Sequence, residues 1–261
     1  MEITDSMFGN IYKNKKVLVT GSSSGIGLEI AKNFSKAGSI IALNGRNIDR
    51  LNKAAKNIYN SKIVHGDVED PKMAKKIVIK TASLLNGIDI LVCNVGSGKS
   101  VKPGIENYLD WQTSFKKNFF SATNIIEASK KYLVKTKGNI ICISSICGAE
   151  YITGAPITYS VAKSALNSYV KMNSKILGQK GVRINAIAPG NIFFKGSVWE
   201  KEIRKNRKAV INNLNSNVAL KKLGHPKNIA EICLFLASAK SDFVTGSVWI
   251  ADGGQVKQLN T

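Results

Sequence analysis

Tyr159 and Lys163 stand four residues apart in Tyr159-Ser160-Val161-Ala162-Lys163, within a stretch whose spacing predicts a long helix from about Ile157 to Leu177. Side chains four apart on a helix lie one above the other on the same face, so the Tyr159 hydroxyl and the Lys163 ammonium can share one small space. A free phenol titrates at about 10, and a cation held beside it favours the phenolate and brings it towards neutral pH. The chemistry implied is proton transfer to or from an alcohol oxygen. The pair alone is weakly specific, because a Tyr and a Lys at this spacing occur by chance on many helices.

The elements that must position the pair follow from the alternation of short β-branched runs with longer amphipathic ones. Val17 to Thr20, Ile40 to Asn44, Lys62 to His65, Ile88 to Asn94, Asn139 to Ser144, Val182 to Ala188 and Ser247 to Ile250 read as strands. Between them, Ile26 to Phe34, Ile48 to Tyr59, Pro71 to Leu84, Leu109 to Val134 and Asn228 to Ala237 carry helical periodicity, as does the helix of Tyr159. Strands alternating with helices imply a parallel sheet covered on both faces, since each return to a parallel neighbour needs a crossover. The expected fold is therefore α/β, a Rossmann-type doubly wound parallel sheet of about seven strands, with residues 1–261 forming one domain.

Such sheets bind ligands at the carboxyl ends of their strands, beside the point where strand order reverses. Directly after the first strand comes Thr20-Gly21-Ser22-Ser23-Ser24-Gly25-Ile26-Gly27, a glycine-rich turn opening a helix. Gly21 and Gly25 let backbone approach a pyrophosphate, Gly27 allows the helix to pack tightly on the strand, and the helix amino end offers free N–H groups. At the end of the second strand, Asn44-Gly45-Arg46-Asn47 has no acid to hold a ribose 2′-hydroxyl. Arg46 instead offers forked donors matched to a 2′-phosphate, so NADP(H) is the expected cofactor and NAD(H) the alternative.

Composition bounds the classes. Hydrophobic residues at 44% and charged residues at 21% of 261 fit a globular chain with a sizeable core. Met1 to Lys16 includes Glu2 and Asp5 without a continuous apolar core, so neither a signal peptide nor a spanning start is expected, and no membrane association. Cys93, Cys142, Cys147 and Cys233 are dispersed without metal-ligand spacing and read as reduced thiols of a cytoplasmic protein, with no metal site. The formal charge of +21 would suit nucleic acid, but the basic residues are spread through the chain. The densest run, Lys201 to Lys208, reads as one solvated helix face, and no specific nucleic-acid partner is expected.

Taken together these residues resemble the single-domain short-chain dehydrogenases/reductases, including 3-oxoacyl-(acyl carrier protein) reductases. The likeness runs from Val17 to Gly254 and rests on Thr20 to Gly27, Gly66-Asp67-Val68, Cys93-Asn94-Val95-Gly96, Asn118, Ile143-Ser144-Ser145, Tyr159 to Lys163, Asn185 to Gly190, Val244-Thr245-Gly246 and Asp252-Gly253-Gly254. The resemblance implies that Tyr159 is the general acid and that Lys163 lowers its pKa and holds the nicotinamide ribose. It implies that Ser145 polarises the same substrate oxygen and that Asn118 supports a water chain to Lys163. Cofactor contacts implied in the same way are Ser23, Ser24 and Ile26 in the glycine turn, Asp67 and Val68 by the adenine, Asn94 and Gly96 along the cofactor, and Pro189, Gly190 and Ile192 facing the nicotinamide. Two departures stand out. Ser145 and Tyr159 are 14 positions apart, one more than is usual in the family, and Phe194 stands where the family often has a threonine.

The implied reaction is hydride transfer between NADP(H) and a carbonyl or secondary alcohol, with a 3-oxoacyl thioester, free or carrier-bound, as the leading substrate. A sugar or polyol dehydrogenase of the same family, and a non-catalytic NADP(H) sensor or scaffold, are the alternatives. The segment from Asn191 to Val218 is expected to cover the substrate, with Phe193, Phe194 and Trp199 as an apolar wall. Lys99 and Lys102 lie on the opposite rim, where two readings stand: attraction of an acidic substrate or carrier protein, or a plain solvated surface. His65 and His225 fall away from the Tyr159 group. The two long helices, Leu109 to Val134 and Ile157 to Leu177, are the family's oligomer surfaces, so a homotetramer or homodimer is expected.

Overall fold

Apolar runs form the central strands because both of their faces are covered, which removes the need for polar residues at alternate positions, whereas the edge strand over Ser61–His65 keeps Lys62 and His65 exposed. The computed structural model describes residues 9–257 and places them as β1 (Lys16–Val19), β2 (Ile40–Gly45), β3 (Ser61–His65), β4 (Ile90–Cys93), β5 (Asn139–Ile143), β6 (Arg183–Pro189) and β7 (Val248–Ala251). They form one parallel sheet in the order β3-β2-β1-β4-β5-β6-β7. Strand order reverses between β1 and β4, so the turns after these two strands face each other across the crevice where such sheets bind ligands.

Alternation along the strands divides the core in two. Val17, Val19, Ile41, Leu43, Val92 and Ile141 point to one face, under α1 (Gly25–Lys36), α2 (Ile48–Ala55) and α8 (Pro226–Ala237). Leu18, Ala42, Leu91, Cys93, Ile140 and Cys142 point to the other, under α3 (Pro71–Leu85), α5 (Ser121–Thr136) and α6 (Ile157–Gly178). Among the described residues, no helix is long and apolar enough to cross a membrane. Residues 1–8, which carry Glu2 and Asp5 of the leader reading, lie outside the described residues.

Three helices depart from the sequence expectation. The helix expected over Leu109 to Val134 is α4 (Tyr108–Phe115), a π-helical turn over Lys116–Phe120, and then α5. The wider turn is held from inside: the Asn118 amide donates to the Ser114 carbonyl at 3.1 Å and the Ser121 hydroxyl to the Lys117 carbonyl at 2.6 Å. Next, α2 stops at Ala55, short of Tyr59, because the chain turns and Asn60 takes a left-handed φ of 55° before β3. The basic run Lys201 to Lys208 lies in α7 (Val198–Asn217) but is not one helix face. Asn206 breaks the helix at φ −157°, and its side chain accepts the Ala209 N–H at 3.0 Å, capping the second half.

Candidate functional site

The glycine turn after β1 is braced by the turn after β4. Gly21 and Gly25 take left-handed φ values of 61° and 57°, which a side chain would strain. Asn94 donates its backbone N–H to the Thr20 hydroxyl at 2.9 Å and its amide to the Thr20 and Gly21 carbonyls at 3.1 and 3.2 Å. A methyl group on Gly27 would lie 2.4 Å from that amide and 2.6 Å from the Gly21 carbonyl oxygen, so Gly27 sets the packing of α1 and does not itself line the cleft. The amino end of α1 has no side-chain cap and no acid in its first turn. Its N–H groups and partial positive charge thus suit a diphosphate, and the turn fits a dinucleotide.

At one end of the crevice, Arg46 follows β2. Its guanidinium pairs with Asp67 at 3.5 Å and Glu69 at 3.4 Å, with its side chain 61% exposed. The parallel register of Gly45 with His65 carries the chain after β3 past Arg46, so the carboxylates missing from β2 arrive from its neighbour. Sequence reasoning missed this pairing, because it depends on the sheet register. Arg50, on the first turn of α2, adds a second cation to the same wall. His65 turns its ring onto the Arg46 carbonyl and His225 starts α8, both away from the tyrosine as expected.

At the other end, Ser145, Tyr159 and Lys163 line one cleft of about 560 Å³ with the glycine turn. Ser145 follows β5, and its hydroxyl accepts the Cys147 N–H at 3.2 Å, opening a single 3-10 turn. Lys163 is buried and donates to the Ile143 carbonyl at 2.8 Å. Burial pushes the Tyr159 hydroxyl up to about 12, and the Ser145 hydroxyl pulls it back only in part. Burial also lowers Lys163 to about 8. Desolvation is thus the largest influence on the phenol, opposed by the Ser145 hydroxyl, while the Lys163 ammonium donates to a backbone carbonyl.

A brace that sequence reasoning missed sets the spacing between Ser145 and Tyr159. The Ser144 hydroxyl donates to Asn167 at 2.6 Å, and the Asn167 amide donates to the Gly148 carbonyl at 3.0 Å. Gly148 lies flat on α6, where a methyl group would stand 2.6 Å from the Lys163 carbonyl carbon. Asn167 is four residues beyond Lys163, on the same helix face, which is the signal that was available.

Asn118 sits in the π turn, buried behind Gly96, and does not line the cleft. Its side chain accepts the Ser97 N–H at 2.8 Å and donates to the Ser97 carbonyl at 3.1 Å. A methyl group on Gly96 would lie 3.0 Å from both the Asn118 oxygen and Lys163 Nζ, so these two residues flank one glycine. Ser23, Ser24, Ile26, Asp67, Val68, Asn94, Pro189, Gly190 and Ile192 all line the cleft. Phe194 does too, with its ring seated on the glycine turn 2.6 Å from where a Gly25 methyl would be. Phe193 does not line the cleft; of the expected apolar wall Phe194 and Trp199 do, and Val198 joins them. On the opposite rim Lys99 lines the cleft and Lys102 does not.

The depressed Lys163 value has a stability consequence. Between about 8 in the fold and 10.5 when free, the unfolded chain binds the extra proton, so the contribution of Lys163 to stability rises with pH across that window. Below it, the cost of the buried ammonium is present in full. The buried thiols of Cys93, Cys147 and Cys233, pushed up by desolvation, act in the opposite direction, so the Lys163 contribution is read as the difference between the parent protein and Lys163→Met in urea unfolding at about pH 7.5 and about pH 9.5, with the variant showing the less positive slope. An unchanged slope would mean that the ammonium is better solvated than its burial indicates.

Residues 21–255 match the family described as enoyl-(acyl carrier protein) reductase. A 3-oxoacyl-(acyl-carrier-protein) reductase of Chlamydia trachomatis is 32% identical over 249 residues, covering 92% of this chain and 97% of its own. Isoepoxydon dehydrogenase of Penicillium expansum is 30% identical over 253 residues, covering 93% and 95%. Among solved structures, the L-sorbose reductase of Gluconobacter frateurii, complexed with NADPH and L-sorbose, superposes with a TM-score of 0.89 at 28% identity, covering 96% of this chain and 100% of that one.

Proposed function

The chain belongs to the short-chain dehydrogenase/reductase family, and we propose that it interconverts a carbonyl and a secondary alcohol with NADP(H) as the preferred dinucleotide. The observation that carries this reading is the meeting of Ser145, Tyr159 and Lys163 in one cleft with an uncapped, glycine-rich helix start. The nicotinamide, when bound, supplies the hydride in reduction or accepts it in oxidation. In reduction, the Tyr159 hydroxyl gives its proton to the carbonyl oxygen, and the Ser145 hydroxyl donates a hydrogen bond to the same oxygen as charge develops there. Lys163, beside Gly96, holds the nicotinamide ribose, while Asn118 fixes the backbone at Ser97 and supports the proton path to Lys163. Gly21, Ser23, Ser24, Gly25 and Ile26 hold the diphosphate, Asp67 and Val68 the adenine, and Asn94, Gly96, Pro189, Gly190 and Ile192 the nicotinamide half.

The preference for the phosphorylated dinucleotide rests on Arg46 and Arg50 at the ribose end. Arg46→Ala should weaken NADPH about 10-fold or more while NADH changes little, read by fluorescence titration. Equal weakening of both would end the 2′-phosphate assignment. Arg46 is largely exposed and its contacts with Asp67 and Glu69 are long, at 3.5 and 3.4 Å, so the more exposed Asp67 pair in particular offers little resistance to this exchange of partners, at most about 1 kcal/mol.

The segment 191–218 is the substrate cover in this reading, and a 3-oxoacyl thioester is the leading substrate, supported by the bacterial relative. The likeness to sorbose reductase supports a sugar or polyol as the second candidate. Absorbance at 340 nm across β-ketoacyl thioesters, simple ketones and sugars decides between them. Turnover on none of these classes, with tight cofactor binding, would favour a sensor instead.

Phe120, Val161, Met172 and Ile176 leave apolar surface exposed around α5 and α6, which supports a homotetramer. Light scattering should give four times the chain mass, and a monomer at micromolar concentration would sink that assignment. The four free cysteines support a cytoplasmic protein.

A further inference from the structure

The end of the cleft beside Tyr159 carries a cation with no acid to answer it. Lys99 lies in the irregular stretch between β4 and α4, yet its backbone is anchored on both sides. The Lys99 N–H donates to the Ser97 hydroxyl at 3.2 Å, and Ser97 is itself tied to Asn118. One residue further, the Ser100 and Thr158 hydroxyls share a hydrogen bond at 2.7 Å, which fastens the stretch to α6 immediately before Tyr159. Gly98 lies against the tyrosine ring, where its methyl position is 3.8 Å from Tyr159 Cε1. The Lys99 side chain is exposed and lines the cleft, and among the described residues it has no ion-pair partner.

The other charges along the cleft are committed or distant. Lys163 is bonded to the Ile143 carbonyl. Asp67, the one carboxylate lining the cleft among the described residues, stands at the opposite end with Arg46. Trp199 and Val198 line the same cleft. A molecule entering here meets apolar surface and one ammonium on a flexible stem, which suits an amphipathic anion better than a neutral polyol. The formal charge of +21 adds a field that draws anions in at low salt.

We propose that Lys99 recognises an anionic group on the substrate, so that this site serves carbonyl or hydroxy compounds carrying a carboxylate or a phosphate beyond the reacting carbon. The inference rests on the oxidoreductase reading of the same site and narrows it. A thioester on a phosphorylated carrier satisfies it, whereas an unmodified sugar does not.

The test is equilibrium binding to the protein loaded with NADP⁺. Loading is checked first by titration, and failure to bind either dinucleotide counts against the oxidoreductase reading itself. Calorimetry then compares hexanoate and hexyl phosphate with hexanol. At least one anion should bind about 5-fold or more tightly than hexanol, and which anion binds better distinguishes carboxylate from phosphate recognition. Lys99→Gln should bring that ratio to about 1 and Lys99→Arg should restore it, with thermal melting showing both variants folded. Hexanol binding as well as both anions would overturn the inference. So would no detectable binding of either anion, or a preference that survives Lys99→Gln.

Discussion

Tyr159→Phe should lower turnover by at least about 10²-fold while leaving NADPH affinity nearly unchanged, because it removes one hydroxyl and keeps the ring that packs beside Gly98. Rates at 340 nm and a fluorescence titration on the same preparation separate the two effects. Unchanged turnover would remove Tyr159 as the acid. The pH profile gives a second check. With the hydroxyl held near 12, it is protonated at neutral pH and ready to donate in reduction. In the oxidative direction the same group must first lose its proton, so oxidation should gain as pH rises through the alkaline range while reduction does not.

Gly148→Ala is expected to be nearly as damaging to turnover, for a steric reason. The added methyl would stand 2.6 Å from the Lys163 carbonyl carbon and 2.8 Å from Lys163 Cβ, and neither can move without shifting α6. The turn carrying Ser145 must lift from the helix carrying Tyr159. A misplacement of about 1 Å between reacting groups costs on the order of 10²-fold, so kcat should fall by about that factor. Cofactor affinity should hold, since Gly148 does not line the cleft. A fall confined to KM, or none at all, would show that the brace through Asn167 does not govern the distance between Ser145 and Tyr159.

The strands and the cofactor turn were readable in the sequence because their signals are local. Val17-Leu18-Val19 is apolar at every position, as burial on both sheet faces requires, and the glycines of residues 20–27 follow it directly. What stayed hidden depends on contacts between distant segments. The ion pairs of Arg46 come from the β2–β3 register, and the Tyr159 value from desolvation, which no spacing reveals. The apolar pattern of α2 runs on through Ile58 and Tyr59, although the helix has already ended at Ala55. Phe194 was visible as a departure, but its seat on Gly25 was not.

The π turn at Lys116–Phe120 makes this region sensitive to length in a way that composition does not suggest. A π turn carries one residue more than an α turn over the same stretch of helix, so α4 and α5 are out of phase by about 100° relative to one continuous helix. Removing a single residue from the turn would restore regular winding and let α4 and α5 keep their faces, but it would take away the wider turn that carries Asn118 to the backbone of Ser97. Replacement of the exposed Lys116 or Phe120 preserves that phase. The segment is thus a counting device, in which the number of residues decides where Asn118 is carried.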